Sequence, residues 1–294
     1  MDQFILGPPI GEGRFGVVRA ALIKESGAPV AIKMITLSRL DEGIPHPVAR
    51  ELLVAMRLKH PYIVHTHDVF PCGCAIALVM ERCTTDLGTM LSGRSASNPL
   101  PSQNAKKLFK MLLSAVAYMH KEGILHRDVK PSNCFLTRDG VLRLGDFGLS
   151  RIWDMDESMT HEVVSRWYRA PELLLGQRRY GPEIDMWSVG CVFAELLRGY
   201  GGAFFAGDGD IRQLSKIFEV LGTPTSSSWP TAVHLPDWGK VHFEKRNPRP
   251  LREFFPEAST SALELLQRLI CLDPLRRINA IEALHHDYFM EYPT

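Results

Sequence analysis

Two carboxylates, an amide and a lysine stand close together near the middle of this 294-residue chain. They lie in His126-Arg127-Asp128-Val129-Lys130-Pro131-Ser132-Asn133 and, 18 residues beyond Asp128, in Asp146-Phe147-Gly148. These residue types suit phosphoryl transfer. Asp128 would orient an attacking hydroxyl, Lys130 would neutralise charge developing on the transferred group, and Asn133 and Asp146 supply the hard oxygens that Mg²⁺ takes. His126 has no nucleophile beside it and reads as structural. Such a site requires a phosphate cover and a paired cation upstream, and a substrate platform downstream.

The cover is legible in Ile10-Gly11-Glu12-Gly13-Arg14-Phe15-Gly16-Val17-Val18. A dinucleotide fold would put a helix after these glycines. Here Val17-Val18 and then Pro29-Val30-Ala31-Ile32-Lys33 follow, β-branched runs separated by a turn containing Gly27, so the glycines form a hairpin lid. Lys33 ends an apolar strand that includes Ala31. Glu51, 18 residues on, sits where Val48, Leu52, Ala55 and Met56 recur at helical spacing behind Pro47, and from that helix it reaches Lys33. Met80 closes the strand Ala75–Met80 and walls a pocket. The polar segment from Glu81 through Cys83 to Asp86 reads as a linker whose backbone at Glu81 and Cys83 is free to bond a flat adenine ring.

Two helices anchor the catalytic loop. One opens at Leu100-Pro101-Ser102, with Ser102 or a neighbour as cap, and carries Leu108, Leu112, Ala115, Val116 and Met119. The other, Asp185–Leu197, is apolar nearly all round and stops at Gly199, with Asp185 expected to cap it and to brace the catalytic loop. Gly145, directly before Asp146, predicts a roomier pocket floor or a more mobile metal loop.

Composition bounds the rest. With 45% hydrophobic and 23% charged residues the chain buries a sizeable core, and a formal net charge of +1 gives no field favouring nucleic acid. No apolar run reaches the roughly 20 residues of a bilayer span, so membrane insertion is not expected. No basic region precedes the first apolar residues, and no secretory signal is read there. The six cysteines are scattered, and Cys72-x-Cys74 lacks two further ligands nearby, so reduced thiols in an intracellular protein are expected rather than zinc.

Taken together, the GxGxxGxV, AIK, HRDxKxxN and DFG elements resemble a eukaryotic-type protein kinase along essentially the whole chain. The resemblance implies an α+β bilobal fold, with a small β-rich N-lobe in residues 1–82 and a larger, mainly helical C-lobe in residues 83–294, forming one kinase domain over residues 4–289. It implies ATP and Mg²⁺ as cofactors, with Lys33 held toward phosphate by Glu51. All the catalytic positions are filled, which argues against a pseudokinase scaffold.

Thr160-His161-Glu162-Val163-Val164-Ser165, Trp167–Glu172, Leu221-Gly222-Thr223-Pro224 and Trp229-Pro230 are similar to cyclin-dependent kinases. Met1-Asp2-Gln3, Val69-Phe70-Pro71 and Leu235-Pro236-Asp237 resemble the cell cycle-related kinase subgroup. Thr160 stands at the family's activating phosphothreonine, and Arg50, Arg127 and Arg151 would bind its phosphate. Val163, Val164 and Arg169 resemble the platform that favours proline after the target Ser or Thr, and Glu172 is expected to pair with Arg277. Arg14-Phe15 replaces the Thr-Tyr pair at which many of these kinases are inhibited. The implied partners are Ser/Thr-Pro protein substrates, an upstream activating kinase and a cyclin or cyclin-like activator, the catalytic chain being monomeric alone. The family's PSTAIRE helix is reworded here as Pro45-His46-Pro47-Val48-Ala49-Arg50-Glu51. Cytoplasm or nucleus is the implied compartment, with a cell-cycle or cilium/flagellum role.

Overall fold

Alternating β-branched residues and tight glycine turns build the first part of the chain into a five-stranded antiparallel sheet, ordered β1-β2-β3-β5-β4. Its strands are β1 (Phe4–Gly13), β2 (Gly16–Ile23), β3 (Pro29–Thr36), β4 (Thr66–Cys72) and β5 (Ala75–Glu81). The computed structural model describes residues 1–13, 16–37, 43–154 and 157–290, so the expectations placed on Arg14 and Phe15 lie outside the described residues. Gly13 pairs with Gly16 to close the β1–β2 hairpin. A side chain at Gly16 would lie 1.7 Å from the Met34 carbonyl oxygen, so the close approach of β2 to β3 requires glycine there.

Helix α1 (His46–Arg57) crosses between β3 and β4, with Pro47 in the first turn. It buries Val48, Leu52, Ala55 and Glu51, but Met56 is exposed, unlike the sequence expectation, and so is Leu53. The buried stripe is centred on Glu51 and Ala55, which leaves Leu53 and Met56, three residues apart, on the outer face.

Below the sheet, β6 (Thr85–Asp86), β8 (Cys134–Leu136) and β9 (Leu142–Leu144) form a small sheet, while β7 (Ile124–Leu125) pairs with β10 (Arg151–Ile152). The helices are α2 (Leu87–Ser92), α3 (Ser102–Lys121), α4 (Pro171–Leu174), α5 (Glu183–Arg198), α6 (Asp210–Leu221), α7 (Thr260–Leu269) and α8 (Ala280–Leu284). The five apolar positions predicted on α3 are all buried. Helix α5 is buried from Ile184 to Leu196 and ends at Gly199, whose left-handed φ of 73° returns its N–H to the Glu195 carbonyl. Phe109 of α3 stacks on Phe193 of α5 with ring centroids 3.9 Å apart, fastening the two anchoring helices together.

The cap position of α3 falls to a neighbour of Ser102, and Asp185 is not the cap of α5. Pro101 occupies the N-cap of α3 and Ser102 makes no capping bond, since the proline already sets the backbone and its carbonyl accepts the Asn104 and Ala105 amides. Asp185 lies inside the first turn of α5 rather than at its cap, and its carboxylate is committed elsewhere. Among the described residues, no helix is long and apolar enough to cross a membrane.

Candidate active site

Between the two sheets lies a cleft of about 510 Å³. Of the expected nucleotide contacts, Ile10, Gly11, Glu12, Gly13, Val18, Ala31, Lys33, Met80, Glu81, Cys83, Asp86, Asn133 and Asp146 line it, joined by Val64, Leu78 and Phe135. Gly16 and Val17 do not: Val17 pairs with Met34 in the ladder and its side chain faces solvent. Two of the lining residues are partly spent. The Glu81 amide is not free for a base, because Glu81 is the last residue of β5 and donates to the His65 carbonyl at 2.9 Å. Its carboxylate accepts from the His65 amide at 2.7 Å and lies 3.1 Å from Arg143 Nε of β9. Asp86 caps α2, accepting from the Thr89 amide at 2.9 Å and the Thr89 hydroxyl at 2.6 Å. At Cys83, burial pushes the thiol up to about 12, with the Glu81 charge adding to the effect.

At the inner end, Lys33 of β3 donates to Glu51 of α1, both side chains almost fully buried, and Lys33 Nζ lies 3.5 Å from Asp146 Oδ1. Burial raises the Glu51 carboxyl, and Lys33 pulls it back down. A buried lysine held between two carboxylates keeps its ammonium fixed at the cleft wall.

The catalytic loop hangs from α5. Asp185 Oδ2 accepts from the His126 amide and Oδ1 from the Arg127 amide, each at 2.8 Å, and His120 Nε2 lies 3.0 Å from Oδ2. This grip accompanies a left-handed backbone at Arg127, φ 63°. Burial opposes ionisation of Asp185, but the His120 and His126 contacts outweigh it and hold the carboxyl below the ordinary range. His126 is structural: its Nδ1 accepts from the Asp128 amide at 3.2 Å and its Nε2 lies 3.1 Å from the Gly145 carbonyl.

Asp128 gathers donors on both oxygens. Lys130 Nζ approaches Oδ2 to 2.8 Å and Asn133 Nδ2 to 3.1 Å, while Ser165 donates to Oδ1 from its amide at 3.0 Å and its hydroxyl at 2.9 Å. With its amide nitrogen spent on Asp128, Asn133 keeps only its amide oxygen for a cation. That oxygen and the half-exposed Asp146 carboxylate are the hard donors Mg²⁺ prefers, and the pair fits an ion that completes its shell with phosphate and water.

The expectation of a roomier floor at Gly145 is not met. A Cβ there would stand 2.6 Å from Val64 Cγ2 and 3.1 Å from Phe135 Cε2, so neighbouring side chains already fill the space. The Gly145 amide also donates to the Asn133 carbonyl at 3.0 Å.

Comparison with known proteins agrees with this arrangement. The protein kinase domain family matches residues 4–289. The chain is 41% identical over 296 residues to cyclin-dependent kinase 20 of Homo sapiens, covering 100% of this chain and 84% of that one. The corresponding protein of Danio rerio is 40% identical, with 85% of it covered. Cyclin-dependent kinase D-1 of Oryza sativa subsp. japonica is 43% identical over 294 residues, all of this chain and 68% of that one. The chain is a protein kinase of the cyclin-dependent family. It is an ATP-dependent serine/threonine kinase with the bilobal α+β fold.

In this kinase the segment from Asp146 to Glu172 is fastened at several points. Arg50, Arg127 and Arg151 lie within each other's fields: burial and the other two arginines lower the Arg50 guanidinium, while Glu157 opposes this. Arg151 is ion-paired with Glu157. Arg127 donates to the Leu149 carbonyl at 2.7 Å and to the Tyr180 hydroxyl at 3.1 Å, and that hydroxyl donates to the Thr160 carbonyl at 2.6 Å. The Thr160 side chain is exposed and its Oγ1 accepts from the Glu162 amide at 3.2 Å. Further on, Arg169 donates to the Val163 carbonyl at 2.8 Å and to the Val164 carbonyl at 3.0 Å, and Val164 adopts a left-handed φ of 65°. Glu172 and Arg277 form the expected pair, bidentate at 2.7 and 3.1 Å.

Sequence reasoning missed Ser165 on Asp128, Tyr180 between Arg127 and Thr160, and Phe135 and Val64 under Gly145. Each acts across 10 or more residues and carries no local pattern. Ser165 was the most findable, since it closes a run already singled out.

Proposed function

We propose that this kinase transfers the γ-phosphoryl group of Mg-ATP to serine or threonine followed by proline. In this reading Asp128 orients the substrate hydroxyl, Lys130 meets the charge on the phosphoryl group, and Lys33, set by Glu51, holds the α and β phosphates. Asn133 and Asp146 hold the metal. The proline preference is carried by one observation: Arg169 occupies the carbonyls of Val163 and Val164. A substrate residue docked there finds no backbone acceptor for its N–H, a loss that proline does not suffer. An unpaired amide costs about 1–3 kcal/mol, so replacing that proline by alanine lowers kcat/KM roughly tenfold to a hundredfold. A peptide array with Pro or Ala after the target residue tests it, and equal turnover sinks it. Loss of Mg-ATP-dependent turnover in Asp146→Asn tests the metal assignment in the same assay.

Two controls belong to the same reading. Phosphate placed on Thr160 by an upstream kinase joins Arg50, Arg127 and Arg151, and through them α1, the catalytic loop and the metal loop. A cyclin or cyclin-like partner covers the outer side of α1, where Leu53 and Met56 are exposed together with the nearby Ile44, and Ile152 is exposed on β10. The family resemblance supports an intracellular kinase working in cytoplasm or nucleus, with a cell-cycle or cilium/flagellum role.

A further inference from the structure

Two histidines stand one residue apart where the chain enters β4, His65 just ahead of the strand and His67 inside it, and both are exposed. In a regular strand such side chains share one face and stand about 6.6–6.8 Å apart, two residue rises. Here the ladder is interrupted. Thr66 pairs with Met80 and Asp68 with Val79, so His67 is an extra residue with no partner across the ladder. A bulge of this kind bends the strand and re-aims its side chains. The two rings meet edge to face, with centroids 4.8 Å apart. Neither ring lines the cleft, and the phosphoryl-transfer site uses neither.

That separation is within the range a shared ion imposes. An ion about 2.1 Å from one nitrogen of each imidazole lies about 3.2 Å from each ring centroid, and at bond angles of about 90–110° the centroids fall about 4.5–5.2 Å apart. We propose that His65 and His67 bind one Zn²⁺ between their rings. Imidazole nitrogen suits zinc, whereas Mg²⁺ takes the oxygens of Asn133 and Asp146. One ligand is held in advance, since the His65 amide and carbonyl are both bonded to Glu81. Carboxylates stand close by: Glu81 accepts the His65 amide at 2.7 Å, and Asp68 follows His67 with its Oδ1 on the Val69 amide at 2.8 Å. Arg143, 3.1 Å from Glu81, offsets part of that negative charge. Among the described residues no group of three or more His, Cys, Asp or Glu gathers around an ion position. Water therefore fills the remaining positions and the ion exchanges, unlike structural zinc closed in by four protein ligands.

Zinc binding is measured on the full chain by competition with a fluorescent zinc chelator, for wild type, His65→Ala, His67→Ala and the double variant Cys72→Ser/Cys74→Ser. Excess Mg²⁺ in the buffer fills oxygen sites and leaves imidazoles free. The cysteine variant tests the rival pair at the β4–β5 turn, where Cys74 is exposed. Wild type and the cysteine variant are expected to bind one ion with equal affinity. Each histidine variant is expected to bind at least about tenfold more weakly, since even the partners behind metal ligands are worth about 10–100-fold in affinity. Both histidine variants are expected to keep wild-type kinase activity without zinc, because the rings are exposed and lie outside the cleft. That activity reports that they are folded, and a variant lacking it is replaced by the asparagine substitution at the same position and read in the same way. A wild-type chain that binds no zinc would overturn the proposal. So would a loss confined to one of the two histidine variants, which means a single-imidazole contact rather than chelation. A loss produced by the cysteine variant, with both histidine variants unchanged, would overturn it as well.

Discussion

Replacing Arg277 by methionine keeps much of the buried stem but removes the guanidinium from a site where it makes five hydrogen bonds. Two go to Glu172, one to the Glu183 carbonyl at 2.6 Å and two to the Cys271 carbonyl at 3.2 and 3.0 Å. The guanidinium also lies 5.2 Å from the centroid of the Trp187 ring. Both charged side chains are essentially inaccessible, at 0% and 2%, so water cannot take over the orphaned carboxylate. Breaking a buried pair on one side costs about 3–5 kcal/mol. Glu172→Gln is milder, about 1–3 kcal/mol, because Arg277 keeps its two carbonyl acceptors. At about 2–4 °C per kcal/mol for a chain of this size, Arg277→Met should melt roughly 6–20 °C below wild type. Joint replacement of both residues by methionine should cost less than Arg277→Met and Glu172→Met added, since the double variant buries no lone charge. Thermal unfolding followed by circular dichroism at one scan rate reads all of these. A melting point for Arg277→Met within 2 °C of wild type would refute the reasoning, as would strict additivity in the double variant.

Two further outcomes follow from single side chains. Tyr180→Phe deletes the hydroxyl between Arg127 and the Thr160 carbonyl, so the activity gained on Thr160 phosphorylation should shrink roughly threefold to tenfold while the unphosphorylated rate changes little. Paired assays on phosphorylated and unphosphorylated protein check this, and an unchanged gain contradicts it. Cys83, with its thiol pushed up to about 12, holds almost no thiolate near pH 8 and should resist alkylation in the folded chain, whereas exposed Cys74 reacts first. Mass-spectrometric footprinting that labels Cys83 as fast as Cys74 at pH 8 would contradict the burial argument.

The chemistry was legible from sequence where a role depends on residues a few positions apart. Asp128, Lys130 and Asn133 share one loop, and their mutual bonds follow from that spacing. Lys33 and Glu51 were found together because each sits on an element with clear periodicity. Interactions set by packing between distant elements were not legible. Nothing near Gly145 announces that Val64 and Phe135 fill its space, and nothing near Glu81 says that its amide is taken by His65. Asp185 was legible as a brace but not in detail: its charge position suggested a cap, and only the fold turns its carboxylate back into the catalytic loop. Met56 failed for a related reason, since a helical stripe read from sequence has soft edges, and the packing against the sheet decides which side of the stripe is wet.

The Glu81 side chain has a mechanical meaning. With one carboxylate it holds the His65 amide just ahead of β4 in the upper lobe and Arg143 of β9 in the lower lobe. The lobes are thus riveted at the back of the cleft, beside the linker, while among the described residues the glycine hairpin at the mouth has no such tie to the small sheet below. Any opening that lets spent nucleotide leave therefore swings about Glu81 as a fulcrum, and the widest travel falls at the glycine lip. Arg143→Ala removes one tie and leaves the Val64 amide on the Leu144 carbonyl and the Leu144 amide on the Tyr62 carbonyl to hold the lobes together there.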